Sequence, residues 1–224
     1  MSRIPYVPTL PESLCDISNQ MFFECHNLRK VVIPDSIKKI GKEAFYNCRA
    51  LKKIEIPNSV EKIETGTFWG YCSLESAVLP ENLDCISDGL FFDCNLKKIT
   101  IPNGVKTIGK LGFCGCGLLA HVEFPDSVKL IDECAFEFCG NLENISLPEG
   151  LLSISDFAFC QCEKLRDITI PGSVQEIGWC VFGDQEYDKG DMVSNIQNLT
   201  IHAPRGSYAE KYARKENIRF EVLE

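Results

Sequence analysis

The sequence predicts a solenoid of eight stacked units, each carrying a short β-strand, closed at its C-terminal end by a helix and a last strand. Three observations predict it. Prolines recur at 11, 34, 57, 80, 102, 125, 148 and 171, spaced 23, 23, 23, 22, 23, 23 and 23 residues apart. Six residues after each stands isoleucine (Ile17, Ile40, Ile63, Ile86, Ile108, Ile131, Ile154, Ile177), and eleven after stands phenylalanine (Phe22, Phe45, Phe68, Phe91, Phe113, Phe136, Phe159, Phe182). Each unit then closes on apolar residues two apart, the period of a strand.

The chain opens on a fragment, Pro5, Val7, Pro8 and Leu10, so residues 1–10 are expected to be a partial unit or an N-terminal cap. Within each unit of the array at 11–201 an aliphatic residue stands three positions in, as at Leu14, Ile37 and Val60. Fourteen positions in, six units place a cysteine (Cys25, Cys48, Cys94, Cys116, Cys139, Cys162), and the third displaces it to Cys72. The unit ends as L-x-x-I-x-I, for example Leu51, Ile54 and Ile56, or Leu165, Ile168 and Ile170. A strand over the last part of that pattern, ended by proline, fits the alternation.

No unit is stable alone. Fixing the backbone costs on the order of 1 to 2 kcal/mol per residue, and each buried side chain returns only about 1.5 to 3 kcal/mol. The units must stack, and eight strands at about 4.8 Å make a parallel sheet roughly 40 Å across.

The last unit is expected to hold an insertion of about eight residues after Phe182, with Ile196, Leu199 and Ile201 resuming the pattern. Residues 202–224 are expected to form a cap: Ser207 and Glu210 have the spacing of a capping box, a helix follows through Tyr212, and Ile218, Phe220 and Val222 alternate as a strand. A cap is needed because the last unit would otherwise expose its core layer.

The string from Ile33 to Pro57, IPDSIKKIGKEAFYNCRALKKIEIP, resembles the BspA-type (Treponema-type) leucine-rich repeat, and the resemblance runs from about Pro11 to Ile201. It implies a right-handed α/β leucine-rich-repeat solenoid, predominantly β. It also implies protein recognition or adhesion, often at the surface of host-associated bacteria, without catalytic residues.

The chain of 224 residues carries a net charge of -9, which argues against nucleic acid, whose affinity rests on Lys and Arg neutralising phosphates. No apolar run reaches membrane-spanning length, and the first residues lack the apolar stretch of an export signal. The compartment is left open: the resemblance favours the cell surface, whereas 13 cysteines without evident pairing favour a reducing interior.

The cysteine column is read as buried thiols that donate weakly to carbonyls. Parallel neighbours would hold their β-carbons near 4.8 Å, whereas a disulfide wants roughly 3.8 Å. The off-column thiols Cys15, Cys85, Cys114, Cys134, Cys160 and Cys180 are expected to be more exposed and more easily oxidised. No two cysteine pairs have zinc spacing, and no nucleophile recurs beside His26, His121 or His202. The acidic insertion Asp184, Glu186, Asp188 and Asp191 lacks the glycine and the final glutamate of a calcium loop. No catalytic, cofactor or metal site is therefore expected.

The candidate binding residues are those flanking the middle apolar residue of each closing strand, which point away from the core. They are Lys30 and Val32; Lys53 and Glu55; Ser76 and Val78; Lys98 and Thr100; His121 and Glu123; Asn144 and Ser146; Asp167 and Thr169; and Asn198 and Thr200. They are expected to line a concave face, lysine-rich in its first half, that takes a protein partner with an acidic patch or a host surface ligand. The alternatives are a purely structural segment of a surface array and, less expected, a thiol-based enzyme.

Overall fold

The computed structural model describes residues 8, 10–70, 73–183 and 198–223, and the backbone of 186–188 and 191–193. Cys72, the first seven residues and the side chains of the acidic insertion lie outside them. The repeat is a parallel solenoid in which each unit feeds three hydrogen-bonded ladders.

The first ladder joins two-residue strands that contain the isoleucine column. Asp16–Ile17, Lys39–Ile40 and Lys62–Ile63 form one sheet, and Cys85–Ile86, Thr107–Ile108, Leu130–Ile131, Ser153–Ile154 and Glu176–Ile177 another, with isoleucine always paired to isoleucine. The periodicity predicts one strand per unit; the structure shows two in most units. A strand of two residues has no alternation to detect.

The second ladder lies on the turn that carries the phenylalanines. The amides of Gln20, Phe22 and Glu24 donate to the carbonyls of Lys42, Ala44 and Tyr46, and equivalent triplets repeat as far as Phe157, Phe159 and Gln161 on Trp179, Val181 and Gly183. The arm requires left-handed backbone nine and thirteen residues into the unit. Non-glycine residues accept it at Gln20, Glu24, Glu43, Asn47, Asp93, Leu111, Cys134, Phe138, Phe157, Gln161 and Cys180, with φ from 51° to 60°. Each costs roughly 1 to 2 kcal/mol in that conformation, which the bonds to the next unit must offset. Gly89 has a second reason to be glycine: a β-carbon there would meet the Trp69 ring at 2.7 Å.

The third ladder joins the closing strands Lys53–Glu55, Ser76–Val78, Lys98–Thr100, His121–Glu123, Asn144–Ser146, Asp167–Thr169 and Thr200–Ala203. Its hydrogen bonding breaks twice, between Ser76–Val78 and Lys98–Thr100 and between His121–Glu123 and Asn144–Ser146; the first break is the junction served by the 22-residue unit, where one residue is missing between Cys94 and Leu96.

Between the ladders the phenylalanines form one continuous stack. Successive ring centroids lie 5.1 to 5.9 Å apart with interplanar angles of 2° to 18°, within the range of favourable offset stacking. Each column sulfur then donates to the carbonyl of the preceding unit's phenylalanine: Cys48 to Phe22 (3.2 Å), Cys94 to Phe68 (3.3 Å), Cys116 to Phe91 (3.1 Å), Cys139 to Phe113 (3.2 Å) and Cys162 to Phe136 (3.3 Å). Cys25 departs from the column's buried setting and is exposed.

The off-column expectation is corrected. Cys114, Cys160 and Cys180 are buried, because their left-handed arm turns them against the next unit, and only Cys15 of this group is exposed.

The last unit also differs from expectation. Asp167 pairs with Thr200 and Thr169 with His202, an offset of 33 residues where Asn144 to Asp167 is 23. Ile201, not Leu199, therefore holds the middle position, and Thr200 is buried (8% exposed). Glu186–Asp188 and Asp191–Val193 pair as an antiparallel ribbon within the insertion; its acidic side chains, spaced in part like calcium ligands, lie outside the described residues. The helix Tyr208–Lys215 follows, with Ser207 accepting from the Glu210 amide and the Glu210 carboxylate accepting from the Gly206 amide at 2.6 Å. Tyr212 meets Phe182 edge-on at 6.0 Å and ends the stack, while Arg219–Val222 pairs with Thr200–Ala203.

Candidate functional site

The closing strands bury their middle residue, half-burying it at Ala77 and Val122, and turn its two neighbours outward, so the columns form two parallel rows. Lys30, Val32, Lys53, Glu55, Val78, Lys98, Thr100, His121, Glu123, Asn144 and Ser146 are exposed, and Ser76, Asp167 and Thr169 are half-buried. Asn198 is exposed but lies outside the rows; the residues in register in the last strand are Thr200 and His202. The signal for that register was available in Pro204, which follows Ala203 as Pro171 follows Ile170.

The two halves of the face differ in how their polar groups are used. Towards the C-terminal end they bind one another: Thr100 donates to Glu123 (2.8 Å), His202 meets Asp167 at 2.9 Å and Glu221 at 3.6 Å, and Asn144, with its amide turned, donates to Asp167. In the first half the neighbouring column is neutralised, since Lys97 and Lys52 hold Glu75 at 3.0 and 3.4 Å and keep its carboxyl below the usual range. Lys30, Lys53 and Lys98 show no ion pair among the described residues.

Around those lysines the surface forms a groove of about 1010 Å³, lined by Arg29, Lys30, Val32, Lys53, Glu55, Val78 and Glu81 among others. A second hollow of about 320 Å³ continues it past Ser76, Val78, Lys98 and Thr100. Val32 and Val78 are each 56% exposed.

Among the described residues no histidine is hydrogen-bonded to a thiol. His26 Nδ1 lies 3.1 Å from the Asn47 carbonyl, His121 is on the exposed face, and His202 meets carboxylates. Burial pushes the Cys114, Cys139, Cys160 and Cys180 thiols up and takes Cys134 to about 12, the Glu137 carboxylate adding to it. Among the described residues no three His, Cys, Asp or Glu side chains are placed to hold a metal ion, and no helix is long and apolar enough to cross a membrane.

A family model described as the BspA type leucine rich repeat region matches residues 7–118 and 85–208, in six copies. No curated protein matches the chain. Among solved structures, it is similar to a leucine-rich repeat protein of Eubacterium ventriosum, with 23% identity and a TM-score of 0.64 over 84% of this chain and 46% of that one. It is similar to a leucine rich repeat protein of T. pallidum, with 24% identity and a TM-score of 0.56 over 96% and 85%. A leucine rich cell surface protein of Faecalibacterium prausnitzii gives 19% identity and a TM-score of 0.53 over 97% and 88%.

Proposed function

The chain belongs to the BspA-type leucine-rich repeat family, and from that premise we propose that it is a non-enzymatic scaffold that binds a protein partner through the face of its closing strands. The observation that carries the reading is the placement of Lys30, Lys53 and Lys98. They occupy the same outward position in the closing segments of three units, without ion-pair partners among the described residues, on a chain whose net charge is -9. Like charges placed close together repel, and these lysines leave their charge available to a partner. An extended sheet on a solenoid is the surface such proteins use for binding. A cell-surface location is part of the proposal and is supported by the name of the Faecalibacterium relative.

The thiol-enzyme reading needs a thiol with a depressed pKa; every thiol with a resolved shift is raised instead.

The test is to pan the immobilised protein against a displayed library of extracellular protein fragments, then to re-measure the binders against two variants. One carries Lys53→Glu, Asn144→Arg and Ser146→Arg on the closing strands; the other carries Lys39→Glu and Lys62→Glu on the two-residue strands. Loss confined to the first variant supports the scaffold. Binders that ignore it, or a library that yields none, favour the purely structural reading.

A further inference from the structure

The scaffold reading leaves the chemistry of the partner open, and the first four rungs of the face narrow it. One row there holds Lys30, Lys53, Ser76 and Lys98. The other holds Val32, Glu55, Val78 and Thr100. Strand register sets Lys53 beside Ser76 and Glu55 beside Val78, the repeat places the outer rungs, and residues of both rows line the groove. We propose that these four rungs bind an extended segment of a partner protein in which acidic and branched apolar side chains alternate. The proposal rests on the scaffold reading and assigns its partner class.

Geometry carries the argument. Four rungs at about 4.8 Å span about 14 Å, the length of four or five extended residues at about 3.3 Å each. Side chains of an extended segment leave its two sides alternately. A segment lying along the groove, across the strands, therefore sends one set towards the lysine row and the other towards the valine row. The lysines supply charge that nothing else among the described residues uses. Val32 and Val78, each 56% exposed, supply apolar surface on the other row. Glu55 stands between the valines and opposes a carboxylate on that side, which fixes which edge of the segment faces which row.

A nucleic acid or sulfated glycan would use the lysines and ignore the valines, and the chain's charge of -9 repels a long polyanion. A basic segment would face Lys30, Lys53 and Lys98 unfavourably. The acidic, apolar segment is the occupant that uses both rows.

Fluorescence anisotropy with four labelled probes tests this on the full chain: nine-residue peptides of alternating Glu and Val, Glu and Ser, and Lys and Val, and a heparin oligosaccharide. The Glu-Val peptide is expected to bind. Lys53→Gln with Lys98→Gln, and separately Val32→Ser with Val78→Ser, should each weaken it at least about tenfold, and Glu55→Gln should tighten it. Should the serine double variant misfold, Val32→Thr with Val78→Thr replaces it. The inference is overturned if the Glu-Val peptide fails to bind at about 1 mM, if the Lys-Val peptide matches it, or if the Glu-Ser peptide or heparin binds equally and the valine variants change nothing. Each of those results leaves the scaffold standing provided the library binders still depend on Lys53, Asn144 and Ser146. If the binders do not depend on them either, both readings fall.

Discussion

At the scale of single residues, this repeat uses cysteine as a small apolar side chain with one weak donor. The sulfurs of Cys48, Cys94, Cys116, Cys139 and Cys162 reach the carbonyl of the phenylalanine one unit back, 3.1 to 3.3 Å away, and so join neighbouring units through a weak bond within the core. The thiols beside the column carry a consequence for pH. Cys134 is raised from 9.0 to about 12, by burial first and by Glu137 second. A raised acid stabilises the fold fully below the unfolded value and loses that contribution as pH climbs through the folded one. The midpoint of urea unfolding should therefore decrease as pH rises from 9 to 12, and Cys134→Ala should make that decrease shallower, the other raised thiols supplying the rest. A midpoint flat across the window would contradict the burial that raises this thiol. Sequence periodicity identifies the column but misjudges its neighbours: Cys114 and Cys160 look peripheral because they lie off it, whereas the left-handed arm packs them inward.

At the scale of elements, the turn arm and the cap show how local strain and local charge are placed. Gln161 sits at φ 59° with its amide bonded to the Gly183 carbonyl. Replacement by glycine keeps that bond and removes the left-handed penalty, so Gln161→Gly should leave stability unchanged or raise it by about 1 kcal/mol in thermal unfolding. A clear loss would mean that the side chain contributes more than the backbone costs. In the cap, the Gly206 amide and the Arg214 guanidinium hold the Glu210 carboxyl below the usual range. A depressed carboxylate stabilises above its unfolded value and loses that contribution as pH falls through the folded one. The helical signal of Tyr208–Lys215 should weaken on acidification below the usual carboxylate range, and Glu210→Gln should make it insensitive there. The capping residues were legible because the box has a fixed spacing; the arms were not, because nothing in Gln20, Leu111 or Phe157 advertises positive φ.

At the scale of the whole molecule, stability is carried from rung to rung. Phe136 stacks on Phe113 at 5.1 Å and on Phe159 at 5.2 Å, and Phe124 meets it edge-on at 5.8 Å. Phe136→Ala should cost about 3 to 5 kcal/mol and, in a one-dimensional array, should split one urea transition into two. Phe22→Ala, at a rung stacked only on Phe45 among the described rings, should cost less and keep a single transition. The cap belongs to this scale as well, since Tyr212 closes the stack against Phe182.

The sequence by itself determined the period, the core columns, the outward rows and the cap, because each rung must bury the same few side chains at the same spacing and that requirement is written directly as repeated letters. The tertiary structure alone decided the two-residue ladder, the left-handed arms, the register of the last unit and the lysines left without ion-pair partners among the described residues. Those depend on which backbone group or carboxylate of a neighbouring rung lies within reach. Lys52 and Lys53 are adjacent in sequence and alike in composition; Glu75, one rung away, pairs with the first and not the second.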